Sequence, residues 1–118
     1  MSDIDQLVAR YLGTWNDSDP ARRRAEIEAV WEPDGQYVDP FQDVTGPDQI
    51  DAMIGDFQAR FPGSVFWLLG PIDAHHRQVR FGWAFGPEGG DPTGTGMDVL
   101  IHTPNGRLAK LYGFFDGA

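Results

Sequence analysis

The segment QVRFGWAFG, residues 78–86, decides the fold class. Large apolar side chains alternate in it with small or polar ones, which is the period of a β-strand whose two faces meet different surroundings. The large positions are Val79, Phe81, Trp83 and Phe85, and the positions between them are Arg80, Gly82 and Ala84. We therefore predict a strand here, with one face turned to an aromatic interior.

Segments of the same kind surround it in the second half of the chain. Turn sequences rich in Gly and Pro separate them, and Asn105-Gly106 is a strong hairpin signal. Short turns join antiparallel neighbours, so we expect an antiparallel sheet. The predicted strands cover residues 64–69, 72–75, 78–86, 93–103 and 107–115.

The first half has the period of helices instead. Ser2 or Asp3 can cap a first helix, Asp19-Pro20 starts a second, and Gly46-Pro47 opens a third that closes near Phe61. A short strand at 36–39 separates the second helix from the third. The order α-α-β-α-β-β-β-β predicts an α+β fold, with three N-terminal helices packed on the sheet, in a single domain spanning 1–118.

Charge and composition exclude several function classes. The 118-residue chain has a formal net charge of −9, and residues 1–59 contain 13 acidic and 4 basic side chains. Phosphate backbones and anionic lipids attract basic surfaces, so we expect neither nucleic acid nor membrane as a partner. The chain has no cysteine, no apolar run of membrane-spanning length and no signal-peptide pattern at its start, so we expect a cytoplasmic protein.

Several predicted strands are apolar on both faces. One face of the sheet is needed to cover the helices. The other face would then expose apolar surface to water, and a second copy of the chain is the simplest cover for it. We therefore expect a homodimer formed through the sheet.

The chain resembles the SnoaL-like polyketide cyclase group of the nuclear transport factor 2-like superfamily over nearly its whole length. The resemblance rests on the helix with Tyr11 and Trp15, the segment Tyr37-Val38-Asp39-Pro40, the helix start at 46–54, and the closing strand at 106–115. It implies a cone-shaped sheet curved around three helices, with a deep apolar pocket. Members include ketosteroid isomerases, cyclases, dehydratases, epoxide hydrolases and proteins without chemistry.

Ketosteroid isomerase is the most informative comparison within that group. Its oxyanion-donor tyrosine is matched by Tyr11, its general base by Asp39 before a proline, and its second oxyanion donor by Asp98. The resemblance therefore implies proton abstraction beside a carbonyl, with Asp39 as base and Tyr11 and Asp98 as acid donors. Phe41 and His102 depart from the isomerase pattern, so the steroid specificity does not transfer.

A small hydrophobic ligand is the expected partner, and we expect neither a cofactor nor a metal. Only three histidines exist, without metal-ligand spacing, and no Gly-rich phosphate loop joins a strand to a helix. Apolar side chains of the first and third helices, and side chains on the Asp98 face of the last two strands, are predicted to form the pocket. They are Trp15, Ile54, Phe57, Phe61, Leu100, His102, Leu111 and Phe115.

Other functions stay open on the sequence alone. His75 or His76 could join Asp39 in a site like that of scytalone dehydratase. Arg80 between aspartates could activate water as in epoxide hydrolases. A ligand-binding or dimerisation module without chemistry is the remaining alternative, so whether the chain is an enzyme stays undecided at this point.

Overall fold

The computed structural model describes residues 2–117 and contains three helices and one sheet. Ser2 caps the first helix, because its hydroxyl accepts the backbone N–H of Asp5 while the Asp5 carboxylate accepts that of Ser2. None of the helices within residues 2–117 is long and apolar enough to cross a membrane. The elements are α1 (Asp3–Asn16), α2 (Pro20–Val30), β1 (Trp31–Val38), β2 (Asp43–Thr45), α3 (Pro47–Arg60), β3 (Ser64–His75), β4 (Gln78–Pro87), β5 (Gly94–His102) and β6 (Leu108–Phe115).

The sheet has six strands in the order β2-β1-β6-β5-β4-β3. The predicted α+β class is confirmed, and strands β3 to β6 pair antiparallel through successive hairpins. The β1–β6 pair is parallel, which makes the sheet mixed rather than wholly antiparallel. No hairpin joins these two strands, because α3 and strands β3–β5 lie between them in the sequence. Strands that are far apart in the sequence can pair in either direction.

Three strand boundaries differ from the prediction. The segments 64–69 and 72–75 form one strand, β3, with an irregularity between Leu69 and Asp73 at Gly70, whose φ of 81° requires glycine. Strand β1 begins at Trp31 rather than at residue 36, and residues 32–35 form an irregular stretch within it. The three-residue strand β2 was not predicted, because its exposed and partly exposed residues give almost no periodic signal.

The helices cover the inner face of the sheet. Apolar side chains from all three helices meet those of β4, β5 and β6 there, and each fully buried one stabilises the fold by about 1.5–3 kcal/mol. Leu7, Val8, Ile27, Val30, Ile50 and Ile54 of the helices and Val79, Phe81, Leu100, Leu108 and Leu111 of the sheet are at most 6% exposed. This core covers one part of the inner face, and the rest of that face borders a cavity.

The outer face of the sheet has no covering element within residues 2–117. Leu69 pairs with Gly82, Gly82 with Met97, and Met97 with Phe114, so these residues form one row across four strands. The Leu69, Met97 and Phe114 side chains are 45%, 38% and 58% exposed. We call these three side chains the outer apolar row.

Candidate active site

A cavity of about 360 Å³ opens between α1, α3 and the inner face of the sheet. Its volume lies in the range of sites for small organic molecules. Ten of the seventeen residues that line it are aromatic, and the ring centroids of Trp15, Phe57 and Phe66 lie 5.1–5.5 Å from one another. The aromatic excess of the sequence is therefore concentrated in a cavity wall suited to an apolar ligand.

Asp98 lies on β5 at the buried end of this cavity. Its residue is only 4% exposed, and one carboxylate oxygen, Oδ1, accepts a hydrogen bond of 3.0 Å from the Trp83 indole N–H. Burial raises the pKa of Asp98 to about 8, the nearby Asp39 charge adds to the rise, and the indole donor opposes it. At neutral pH Asp98 is therefore mostly a protonated acid that can donate a hydrogen bond.

A glycine opposite Trp83 makes the hydrogen bond between Trp83 and Asp98 sterically possible. Gly96 pairs with Trp83 across the strands, and a Cβ at residue 96 would lie only 2.2 Å from the indole ring. Without that Cβ, the indole can lie across β5 and reach the carboxylate of Asp98. Gly96 thus positions the donor that orients the buried acid.

Tyr11 is a second acid donor in the same cavity. It is 2% exposed, and its ring packs edge-on against Trp31 and Phe81 at centroid distances of 6.3 Å each. Burial raises the Tyr11 pKa well above its ordinary value, and the charge that Asp98 carries once it ionises, above its own pKa of about 8, raises it further. The Tyr11 hydroxyl donates no hydrogen bond to a protein group within residues 2–117. The Tyr11 hydroxyl therefore stays protonated and is available to donate to a ligand.

Asp39 lines the cavity directly after β1 and is held by three donors. Its Oδ1 accepts the backbone N–H groups of Phe41 and Gln42 at 2.8 and 2.9 Å, and its Oδ2 accepts the Tyr37 hydroxyl at 2.6 Å. An ionised carboxylate only accepts hydrogen bonds, and it has about four lone-pair sites. Oδ2 consequently keeps capacity for one more contact, to a proton of the ligand.

Gly113 on β6 shows how close these groups are. A Cβ built on Gly113 would lie 3.1 Å from Oδ1 of Asp98, 3.3 Å from Cβ of Asp39 and 3.7 Å from the Tyr37 hydroxyl. The two carboxylates and the tyrosine therefore surround the same point of the backbone. A protonated acid, a neutral phenol and an acceptor carboxylate face one apolar space, which is the equipment of general acid–base chemistry.

The structure brings together some of the predicted pocket residues and not others. Trp15, Phe57, Phe61 and Phe115 line the cavity beside Tyr11, Asp39 and Asp98. The other four predicted pocket residues do not line it. Ile54, Leu100 and Leu111 are at most 1% exposed and fill the solid part of the core, while His102 lies at the end of β5 with its Nδ1 3.0 Å from the Thr103 carbonyl oxygen.

The side chains expected for a dehydratase-like or an epoxide-hydrolase-like site lie away from the cavity. His75 and His76 are exposed at the β3–β4 turn, with their Nδ1 atoms 3.4 Å apart. Arg80 pairs with Asp73, and both side chains are more than half exposed. Within residues 2–117, no three His, Asp or Glu side chains converge as ligands of a metal ion would.

Several lining residues were not predicted. Tyr37, Trp83, Phe66 and Phe85 belong to the inner face, and the alternation of β1 and β4 was the available signal for three of them. Met53, Asp56 and Arg60 repeat at helical spacing along α3, on a stripe next to the one that carries Ile50 and Ile54. Leu12, Phe41 and Gln42 complete the lining.

Comparison with known proteins gives a consistent result. The SnoaL-like domain family matches residues 8–111. A candidate isomerase of the SnoaL-like family from Agrobacterium tumefaciens is 35% identical, with a TM-score of 0.92 over 99% of this chain and 100% of that one. No curated protein matches the chain.

More distant structures share the fold alone. A candidate polyketide cyclase from Sinorhizobium meliloti is 16% identical, with a TM-score of 0.73 over 96% of this chain and 99% of that one. A nuclear transport factor 2-like protein of unknown function from Exiguobacterium is 14% identical, with a TM-score of 0.75 over 95% and 99% of the two chains. At such identities the similarity carries no information about the reaction.

Proposed function

This chain belongs to the SnoaL-like family, and we propose that it binds a small hydrophobic carbonyl compound in its aromatic cavity and moves a proton within it. Asp39 is the base, and Tyr11 and Asp98 are the acid donors. The reaction class is isomerisation, cyclisation or dehydration without a cofactor. The name of the Agrobacterium relative, a candidate isomerase, agrees with this class.

The proposed chemistry uses each group in the state that its surroundings favour. Oδ2 of Asp39 takes a proton from the carbon beside the carbonyl, and the electron pair of that C–H bond moves to the carbonyl oxygen as an enolate. Tyr11 and Asp98 donate hydrogen bonds to this oxygen as its charge develops. Return of the proton to another carbon is isomerisation, attack of the enolate carbon on a second carbonyl is cyclisation, and loss of a β-hydroxyl with the proton as water is dehydration.

One observation carries the proposal. Asp98 is a buried acid whose pKa is raised to about 8, and it shares an apolar cavity with a second carboxylate that is held by three donors. Two carboxyl groups in such unequal surroundings can serve as acid and base at one pH. Packing alone does not explain why two carboxyl groups in one cavity have such different surroundings.

The test uses 2-tetralone, a bicyclic ketone with exchangeable protons beside its carbonyl. Its hydrogen–deuterium exchange in D2O is followed by NMR with and without the protein. We expect exchange above the buffer rate, and a fall of about 100-fold or more in Asp39→Asn. Asp43→Asn is the matched control, because Asp43 lies on the exposed edge strand β2, where its carboxylate accepts a hydrogen bond from the Gln36 side chain.

The outcomes separate this proposal from a binding module without chemistry. Binding of the ketone without any exchange above buffer supports the non-catalytic alternative and overturns proton transfer. Exchange that survives in Asp39→Asn contradicts the role of Asp39. Failure of the ketone and of other bicyclic compounds to bind contradicts the cavity as a ligand site.

We further propose that the outer apolar row joins two copies of the chain. The three exposed side chains lie on a sheet face that no element within residues 2–117 covers. Charge favours this geometry, because residues 60–118 hold five acidic and five basic side chains whereas the excess acid is in the helical half. Two copies meeting through their sheets keep their anionic sides apart.

Sedimentation tests the dimer. We expect a dimer at about ten micromolar, and a monomer for Phe114→Lys, whose charge would enter the interface. Arg77→Lys, at the β3–β4 turn, is the control and should remain dimeric. A monomeric unaltered protein at tens of micromolar overturns the proposal.

A further inference from the structure

The mouth of the cavity differs in chemistry from its buried end. Tyr11, Tyr37 and Asp98 at the buried end are at most 5% exposed. Phe41 and Phe61 at the mouth are 73% and 41% exposed, and Gln42, Asp56 and Arg60 are exposed lining residues. A ligand whose carbonyl reaches the buried end must therefore place its other end among these groups.

Among residues 2–117, Arg60 is the only basic side chain that lines the cavity. It stands in the last turn of α3, beside the aromatic wall formed with Phe57 and Phe61. Asp39, Asp56 and Asp98 are the acidic lining residues. A negatively charged group on a ligand thus has one place in this cavity where it meets a positive charge.

The pairing of the other helix arginines makes Arg60 unusual. Each of them binds a carboxylate, at N–O distances of at most 2.8 Å: Arg10 with Glu26, Arg22 with Asp17, Arg23 with Asp51, and Arg24 with Glu28 and Asp48. Arg60 has no such partner among residues 2–117, although Asp56 stands four positions earlier, at the spacing that permits a helical ion pair. Its exposed guanidinium is therefore open to a group from outside the chain.

We infer that Arg60 binds an anionic group, of the carboxylate or sulfonate type, on the ligand at the mouth of the cavity. This inference rests on the proposed function and names its substrate class: a ring compound with a carbonyl at one end and an acidic group at the other. A guanidinium binds a carboxylate through two parallel N–H donors, so Arg60 fixes orientation as well as charge. With the acid held at Arg60, the opposite end of the ligand points toward Tyr11 and Asp98.

Two fluorescent probes of nearly identical shape test this inference. 1-Anilinonaphthalene-8-sulfonate carries an anionic group, and N-phenyl-1-naphthylamine is the same ring system without it. We expect Arg60→Gln to lower the affinity for the sulfonate probe about fivefold and the affinity for the neutral probe less than twofold. Added salt should lower the affinity of the unaltered protein for the sulfonate probe, and it should lower the affinity of Arg60→Gln much less.

Matched variants control for general effects of charge. Arg77→Gln changes the net charge equally but lies at the distant β3–β4 turn, so it should leave both affinities within twofold. Arg60→Lys keeps the charge and loses the two-donor geometry, so its affinity for the sulfonate probe should lie between those of the unaltered protein and Arg60→Gln. Asp56→Asn removes a like charge beside the bound anion and should tighten the sulfonate probe alone.

The possible failures are distinct. If the neutral probe binds but Arg60→Gln weakens both probes equally, or neither, the inference is wrong while the cavity remains a ligand site. The same holds if Arg77→Gln weakens the sulfonate probe as much as Arg60→Gln does. If the neutral probe does not bind at all, the proposed function fails and the inference fails with it.

Discussion

Asp98 and Asp39 are the same side chain in two different regions of one cavity. Asp98 stands in the middle of the sheet, almost fully buried, with the Trp83 indole as its only protein donor within residues 2–117. Asp39 stands where β1 ends, and a hydroxyl and two backbone N–H groups bind its oxygens. The comparison teaches that position in the fold gives two identical side chains different surroundings, and the acid and base roles that we propose rest on that difference.

The largest effects should come from removing a carboxyl group, and loss of the acid at the buried end should match the effect of Asp39→Asn. Asp98→Leu leaves Tyr11 as the remaining donor, and we expect ketone exchange to fall about 100-fold. Asp98→Asn should retain most of the activity, because its amide oxygen accepts the indole N–H while its NH2 group donates to the ligand. Equal losses in the two variants would contradict a role as neutral donor.

The pH dependence of exchange sharpens the same distinction. The donor proton of Asp98 is lost as the pH rises through its pKa of about 8. Exchange should therefore decline above pH 8 in the unaltered protein and not in Asp98→Asn. The pH–rate profiles of the two proteins check this, and superimposable profiles would contradict it.

A smaller effect should follow from crowding both regions at once. In Gly113→Ala the new Cβ would lie 3.1 Å from Oδ1 of Asp98 and 3.3 Å from Cβ of Asp39, so both aspartate side chains must move by a few tenths of an ångström. We expect a loss of about 2 kcal/mol in the free energy of unfolding. Gly13→Ala is the control, because its Cβ meets nothing within 4 Å, and it should gain about 0.5–1 kcal/mol from helix propensity. Chemical denaturation of both variants measures these values, and an unchanged Gly113→Ala would contradict the close approach.

Stability should also depend on pH through Asp98. Its pKa is about 8 when folded and ordinarily 3.8, so the native state holds one more proton than the unfolded chain between these values. The free energy of unfolding therefore falls as pH rises through this window, by at most about 1.4 kcal/mol per pH unit. Denaturation at several pH values should show this slope in the unaltered protein relative to Asp98→Asn. Parallel curves for the two proteins would contradict it.

The smallest effect should come from the hydroxyl that holds the base. Tyr37→Phe removes the 2.6 Å bond to Asp39, with an expected loss of about 1 kcal/mol in the free energy of unfolding. Because Tyr37 positions Asp39, the exchange rate should fall while ketone affinity stays constant. Tyr112→Phe on the outer face should change neither. A loss of affinity without a loss of rate would assign Tyr37 to binding instead.

Sequence periodicity and resemblance together predicted much of this arrangement. The helices, the strand meander and the α+β class follow from hydrophobic period and turn residues. The resemblance supplied Tyr11, Asp39 and Asp98, and the structure places all three on one cavity. Their catalytic roles stay a proposal.

What could not be predicted depends on register and depth. The indole of Trp83 reaches Asp98 diagonally across two strands, which depends on how the β4–β5 hairpin is aligned. Leu100 and Leu111 share the inner face with Asp98 and Gly113 but lie farther along their strands, where the helices fill the space. Alternation identifies the face of a side chain and not its depth in the fold.

The measurement that tests the central claim most directly is the titration of Asp98. The protein is labelled with 13C at its aspartate carboxyl carbons, Asp98→Asn identifies the Asp98 resonance, and its chemical shift is followed from pH 3 to pH 10. A midpoint near 8 agrees with a pKa raised by burial beside Asp39. A midpoint near the ordinary 3.8 would mean that Asp98 is ionised at neutral pH, and its role as the acid donor of the cavity would be wrong.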